Sequence, residues 1–203
     1  MTFQVSVKSD LKKLTKHLNN VQKKQIPYAA SQALTDTAFD ARKALRVQAT
    51  KKLDRPTKFT INAFQVDKAT KRDLRAAVYV HKLRWSYLKY QILGGSREVS
   101  GKGTGVPFSQ KLNKFGNIPG RKKGLVKKKR QFVATIKGIT GVWERTGGKR
   151  NPGIKLVTAF EKKVSYKKRF EFKKIVHGIA KSKFPKHFDK RLTVALKNMR
   201  KKL

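Results

Sequence analysis

The sequence predicts an α+β fold, in which helices near both ends of the chain flank a small antiparallel sheet. Apolar residues recur at helical spacing near both termini, and segments rich in β-branched and aromatic residues cluster between them. The two kinds of segment do not alternate as they do in a parallel βαβ fold. At 203 residues the chain is predicted to be a single domain, 1–203, with a basic arm, 94–130, inserted in it.

The N-terminal quarter of the chain predicts two helices. Ser9 or Asp10 can cap the first helix, and apolar residues follow at helical spacing from Leu11 to Val21. Pro27 interrupts this pattern and suits the first turn of a second helix, because its missing N–H is not needed there. The second helix carries small residues between Ala30 and Leu45, which favour close packing against another element.

The next segment predicts a strand pair and a short helix. Residues 59–66 and 75–80 are rich in β-branched and aromatic side chains, and the polar stretch 67–73 between them is typical of a turn. An antiparallel pair is therefore expected. An amphipathic helix over 85–93 is expected to end at Gly94, because glycine commonly terminates helices.

The basic arm, 94–130, is rich in glycine and lysine and shows no apolar period. From Val99 to Val142 the chain has no acidic residue. Such a segment is either a mobile surface loop or an arm that binds DNA or a partner, and the residues alone leave both open. The candidate DNA-binding residues of this arm are Lys102, Lys111, Lys114, Arg121, Lys122, Lys123, Lys127, Lys128, Lys129 and Arg130.

The C-terminal third predicts three more strands and a long helix. The strand candidates are 131–136, 141–145 and 154–160, each bounded by glycine or polar residues. From Tyr166 onward, apolar residues recur at helical spacing among many lysines. This pattern predicts a basic helix that runs to the C-terminus, with Pro185 as a point where it kinks or splits in two.

The charge balance is the most informative feature of the composition. The chain has 52 lysine and arginine residues against 11 acidic residues, a net charge of +41. Such a charge destabilises a compact state by self-repulsion unless an anionic partner neutralises it. Double-stranded DNA fits this requirement, and an acidic protein is the alternative. Lysine greatly outnumbers arginine, which favours contact with the phosphate backbone over reading of base edges.

The sequence offers little for catalysis, cofactors or metals. It has no cysteine, its four histidines are scattered, and its acidic residues are too sparse to predict a two-metal nuclease site. The glycines from Gly95 to Gly103 do not match the spacing of a phosphate-binding loop. Neither a membrane span nor a signal peptide is expected. We therefore expect a protein without enzymatic activity, cofactor, metal or membrane partner.

Several stretches in fixed order carry a family resemblance. Ile26–Leu34 lies near the N-terminus, Phe115–Pro119 precedes the basic run, Gly141–Arg145 follows a strand, and Tyr166–Phe170 leads into the basic helix. From about Gln22 onward, this order resembles the minor tail protein Z, or tail-completion, family of tailed bacteriophages and prophages.

The resemblance implies a structural virion protein of the head–tail junction or tail, assembled in the host cytoplasm. Such a protein joins tail to head, contacts other neck and tail proteins, meets genomic DNA without sequence preference and forms a ring of identical subunits. Trp143 and Arg145 are candidate interface residues, although Trp143 could equally lie in the core. The alternatives are a basic nucleic-acid-binding protein of another assembly, similar to a ribosomal protein, and an enzyme acting on DNA.

Overall fold

The structure is a computed structural model that describes residues 2–6, 20–101, 103–119, 130–148 and 150–200. The helices in these ranges are α1 (Asn20–Lys52), α2 (Lys58–Ile61), α3 (Lys82–Leu93) and α4 (Phe172–Arg200). The strands are β1 (Thr2–Ser6), β2 (Phe64–Asp67), β3 (Arg75–Val80), β4 (Gly95–Glu98), β5 (Thr104–Pro107), β6 (Gln131–Ile136), β7 (Ile139–Thr146), β8 (Gly153–Glu161) and β9 (Lys163–Tyr166). Long helices that flank small antiparallel sheets in the chain confirm the predicted α+β class.

The chain divides by packing into two compact units. The first consists of residues 1–88 and 170–203, and the second of residues 89–169. The described residues of the predicted basic arm, 94–101, 103–119 and 130, belong to the second unit. The single domain, 1–203, that the sequence suggests stays a prediction.

The first unit contains an antiparallel sheet of three strands in the order β1-β3-β2. Helix α1 packs against β2, β3 and α4, and its short side chains Ala30, Ala33 and Ala41 are almost completely buried. Because alanine has only a methyl group, the helix backbone can approach neighbouring elements closely. This finding confirms the prediction that the small residues of the helix are packing residues.

An aromatic cluster links the sheet of the first unit to the start of α4. The Phe64 ring lies 5.6 Å from the Phe170 ring and 6.1 Å from the Phe172 ring, centroid to centroid. All three side chains are fully buried. Stacked rings at these separations add to the stabilisation that comes from burying their apolar surface.

Helices α1 and α4 pack antiparallel. Arg191 of α4 lies 2.7 Å from Asp36 of α1, and His187 lies 2.9 Å from Asp40, so residue numbers rise along one helix as they fall along the other. These partly buried polar contacts fix the register of the two helices beside their apolar interface.

The second unit contains an antiparallel sheet of four strands in the order β5-β8-β7-β6 and a separate pair, β4-β9. Lys137 and Gly138 connect β6 to β7 as a two-residue turn, with φ of 51° and 77°. Two successive residues with positive φ match the right-handed twist of the flanking strands. The buried side chains of this sheet include Val142, Trp143 and Val157.

Two sequence predictions about the first unit need correction. Helix α1 runs through Pro27, where a new helix was expected to begin, and its buried alanine face compensates for the backbone hydrogen bond that proline cannot make. The predicted strand 59–66 is helical in its first half, because the Thr57 hydroxyl accepts a hydrogen bond from the Thr60 N–H and caps α2. Only the end of that segment forms β2. The predicted first helix, residues 9–21, falls mostly outside the described residues.

The second unit also departs from the sequence prediction. Two segments of the basic arm, which showed no pattern in the sequence, form strands: β4 pairs with β9, and β5 pairs with β8. Tyr166 ends β9, and the last helix starts only at Phe172. Strands of four residues with mostly exposed or polar side chains carry no alternating pattern, and their partners lie more than fifty residues away.

Candidate nucleic-acid interface

Three of the ten candidate DNA-binding residues lie in the described part of the chain, and all three are exposed. They are Lys111, Lys114 and Arg130. The other seven lie outside the described residues: Lys102, Arg121, Lys122, Lys123, Lys127, Lys128 and Lys129. Their proposed role therefore stays a prediction.

Lys114 belongs to a hydrogen-bonded turn after β5, and Lys111 lies two residues before that turn. The Asn113 side-chain oxygen accepts hydrogen bonds from the backbone N–H groups of Phe115 and Asn117, both at 3.0 Å. The Lys114 ammonium lies 5.2 Å from the centre of the Phe115 ring. A side-chain amide that satisfies its own backbone in this way stabilises a turn. Both lysines are exposed to solvent.

Arg130 stands immediately before β6. Its Nη2 group donates a weak hydrogen bond of 3.4 Å to the Gly147 carbonyl oxygen, and the residue is exposed. No carboxylate among the described residues lies within 4.0 Å of Lys111, Lys114 or Arg130. Their charges are therefore available to an anion.

The two candidate interface residues differ in their surroundings. Trp143 is only 8% exposed and donates a hydrogen bond of 3.1 Å from Nε1 to the Ala134 carbonyl oxygen. The Arg145 guanidinium lies 5.1 Å from the centre of the Phe132 ring and is exposed. Trp143 is thus a core residue of the second unit and offers little surface to a partner, whereas Arg145 remains accessible.

A row of four lysines on α4 was not among the candidates from the sequence. Lys183, Lys186, Lys190 and Lys197 recur at intervals of three, four and seven residues, which places them on one side of the helix. All four are exposed, and none has a carboxylate within 4.0 Å among the described residues. We refer to these four residues as the lysine row. Their spacing is visible in the sequence and could have identified them.

Many acidic side chains are already engaged by basic ones. Glu144 lies 3.9 Å from Lys155, and Glu171 lies 3.6 Å from Lys174, so both acids take part in ion pairs. Glu98 is paired in the same way with Lys163, at 3.4 Å. Because acidic residues are so few, most lysines in the described ranges have no carboxylate within 4.0 Å, and the exposed surface of those ranges is strongly positive.

The described ranges contain no group of three or more histidine, cysteine, aspartate or glutamate side chains that could hold a metal ion. His187 contacts Asp40, while His177 is exposed on the same helix. A search for membrane spans in the described ranges finds no helix with the length and apolar character needed to cross a bilayer.

The chain matches no protein-family model, no curated protein and no solved structure.

Proposed function

We propose that this protein is a structural virion protein of the phage head–tail junction, which joins tail to head and contacts genomic DNA through its phosphate backbone. The observation that carries the DNA contact is the lysine row on α4, whose four side chains are exposed and have no carboxylate within 4.0 Å among the described residues. Charge alone would fit any anion, but a straight row of charges suits an extended polyanion best.

The length of the lysine row suits a nucleic-acid backbone. Lys197 lies fourteen positions after Lys183, which corresponds to about 21 Å along an α-helix. Duplex DNA carries one negative charge per about 1.7 Å of its axis, so several phosphates lie within that span. Lysine ammonium groups act as point charges on phosphate and carry no information about bases. Binding is therefore expected to be independent of sequence and strongly dependent on salt.

The virion role rests on the resemblance of the sequence to the tail-completion family. It is supported by the charge, since a protein beside a DNA channel meets polyanion, and by the proposed backbone contact, which tolerates any genome sequence. In this role the protein forms a ring of identical subunits and contacts neighbouring neck or tail proteins. The basic arm either lines the channel or lies between subunits.

Binding of the purified protein to two duplexes of unrelated sequence tests the DNA contact. We expect equal affinities for both duplexes and a linear decrease of log Kobs with log salt concentration. A marked preference for one duplex, or an affinity independent of salt, would contradict the proposal.

Co-purification separates the assemblies in which such a protein could serve. Recovery with virions or tails supports the head–tail role, whereas recovery with ribosomes supports the ribosomal-protein-like alternative. Nicking of DNA in the presence of divalent metal, abolished by substitution of Glu171 or Asp189, would instead indicate an enzyme.

A further inference from the structure

A second group of cations, separate from the basic arm and the lysine row, lies on and beside one face of α1. The Arg42 guanidinium carbon lies 4.8 Å from the centre of the Phe39 ring, and the Lys68 ammonium lies 5.9 Å from the same centre. Arg46 follows Arg42 by one helical turn, so the two arginines share a face of α1. We call Arg42, Arg46 and Lys68 the arginine cluster.

The loop that follows β2 brings Lys68 to this face of the helix. The backbone N–H of Ala69 donates a hydrogen bond of 3.2 Å to the hydroxyl oxygen of Thr35, one turn before Phe39 on α1. In the same loop, the Lys71 ammonium lies 4.7 Å from the centre of the Tyr28 ring. The loop is therefore held against α1 at several points, and the position of Lys68 beside Phe39 is fixed by these contacts.

The Phe39 ring holds Arg42 and Lys68 in place without neutralising them. The two carboxylates on this part of α1, Asp36 and Asp40, contact Arg191 and His187 of α4 instead. Among the described residues, no carboxylate lies within 4.0 Å of any member of the arginine cluster. A ring attracts a cation through its quadrupole but leaves its full charge available to an anion.

The arginine cluster is electrostatically unsatisfied. Burial, together with the nearby charge of Arg46, lowers the pKa of Arg42. The Nε atom of Arg46 is buried and has no hydrogen-bond partner among the described residues. Maintaining like charges in a partly buried site without an acid destabilises the free protein. A bound anion would relieve this repulsion.

We propose that the arginine cluster is a phosphate-binding site for the backbone of nucleic acid. Two guanidinium groups one turn apart offer forked donors that match phosphate oxygens, and Lys68 adds a third positive charge from the adjacent loop. This inference rests on the proposed function, which it extends to a specific site in the first unit.

The test compares two double variants that remove the same charge. R42Q/R46Q removes the two unpaired arginines, whereas R55Q/R75Q removes two arginines that pair with Asp54 and Asp73 at 3.0 and 2.7 Å. Loss of two phosphate contacts should lower the salt slope of duplex binding by about 1.8, and the control should change it by less than half as much. Equal changes in the two variants would overturn the site.

A third variant keeps the test independent of folding. R42K/R46K retains both charges, so it should keep the salt slope of the wild type but bind duplex DNA more weakly, because lysine lacks the forked geometry. Wild-type affinity in this variant would overturn the role of the guanidinium groups. If the wild-type protein itself fails to bind DNA, the proposed function fails. If the wild-type protein binds DNA but R42Q/R46Q and its control R55Q/R75Q change the salt slope equally, the arginine-cluster inference fails while the proposed function stands.

Inorganic phosphate distinguishes a backbone site from a site for a free anion. Resonances of the Arg42 and Arg46 side chains, followed by NMR, should shift with duplex DNA at concentrations far below those at which inorganic phosphate shifts them. Saturation by inorganic phosphate at equal or lower concentration would overturn the assignment to nucleic acid.

Discussion

Replacement of three lysines in the lysine row should weaken DNA binding in a way that removal of charge elsewhere does not. The variant K183Q/K186Q/K190Q removes exposed charges that lack acidic partners. Glutamine has nearly the same helix propensity as lysine, so α4 should persist. Removing three like charges from a chain of net charge +41 also reduces self-repulsion, which favours the folded state.

The expected magnitude follows from counterion release. Each lysine that contacts a phosphate contributes about 0.9 to the slope of log Kobs against log salt concentration, so three contacts contribute about 2.7 at most. Fluorescence anisotropy of a labelled duplex, measured between about 50 and 200 mM salt, resolves a change of this size. Affinity should fall by the same factor for duplexes of different sequence.

The matched control is K155Q/K163Q/K174Q. These three lysines pair with Glu144, Glu98 and Glu171, at 3.9, 3.4 and 3.6 Å. The control removes the same net charge but takes away cations that acidic residues already offset, so its slope should stay close to that of the wild type. Equal loss of slope in both triple variants would refute a specific role for the lysine row and leave only a general effect of net charge.

Three further predictions concern the basic arm, the helix pair and acid pH. Charge reversal at 127–130 should weaken binding equally for all duplexes and flatten its salt dependence, and an unchanged slope would argue against a role for the arm. Asp36→Asn removes the ion pair with Arg191 and should lower the free energy of unfolding, measured by denaturant titration, by about 1 kcal/mol. The control Asp189→Asn changes the net charge equally and should have little effect on that free energy. A hydrogen bond from Arg75 lowers the pKa of Asp73. The ionised Asp73 side chain therefore contributes its full stabilisation above pH about 3.9, and this stabilisation is lost as the pH falls through the lowered pKa. An NMR titration midpoint for Asp73 at or above about 3.9 would contradict this prediction.

The sequence predicts those elements whose pattern is local. Strand β3, helix α3 and the strands β6 to β8 combine alternating or helical apolar spacing with glycine or polar boundaries, and the structure confirms them. Strand β1 was not predicted, because its five residues are specified by pairing with β3, from Thr2 opposite Tyr79 to Ser6 opposite Arg75. Pairing between residues that lie 69 to 77 positions apart in the chain leaves no local signal.

The same distinction applies to the candidate sites. The lysine row could be found from its spacing alone, once α4 is recognised as a helix. The arginine cluster could not, because Lys68 reaches Phe39 only through the path of the loop after β2. For Trp143, the sequence leaves two roles open, because tryptophan is common both in cores and at interfaces. Its burial in the structure identifies it as a core residue.

The most decisive experiment for the proposed role is a reconstruction of phage particles that contain this chain. A head–tail function predicts a ring of identical subunits at the junction, with the lysine row or the basic arm facing the DNA in the channel. A position on the outer surface of the head, or a single copy without contact to DNA, would contradict it.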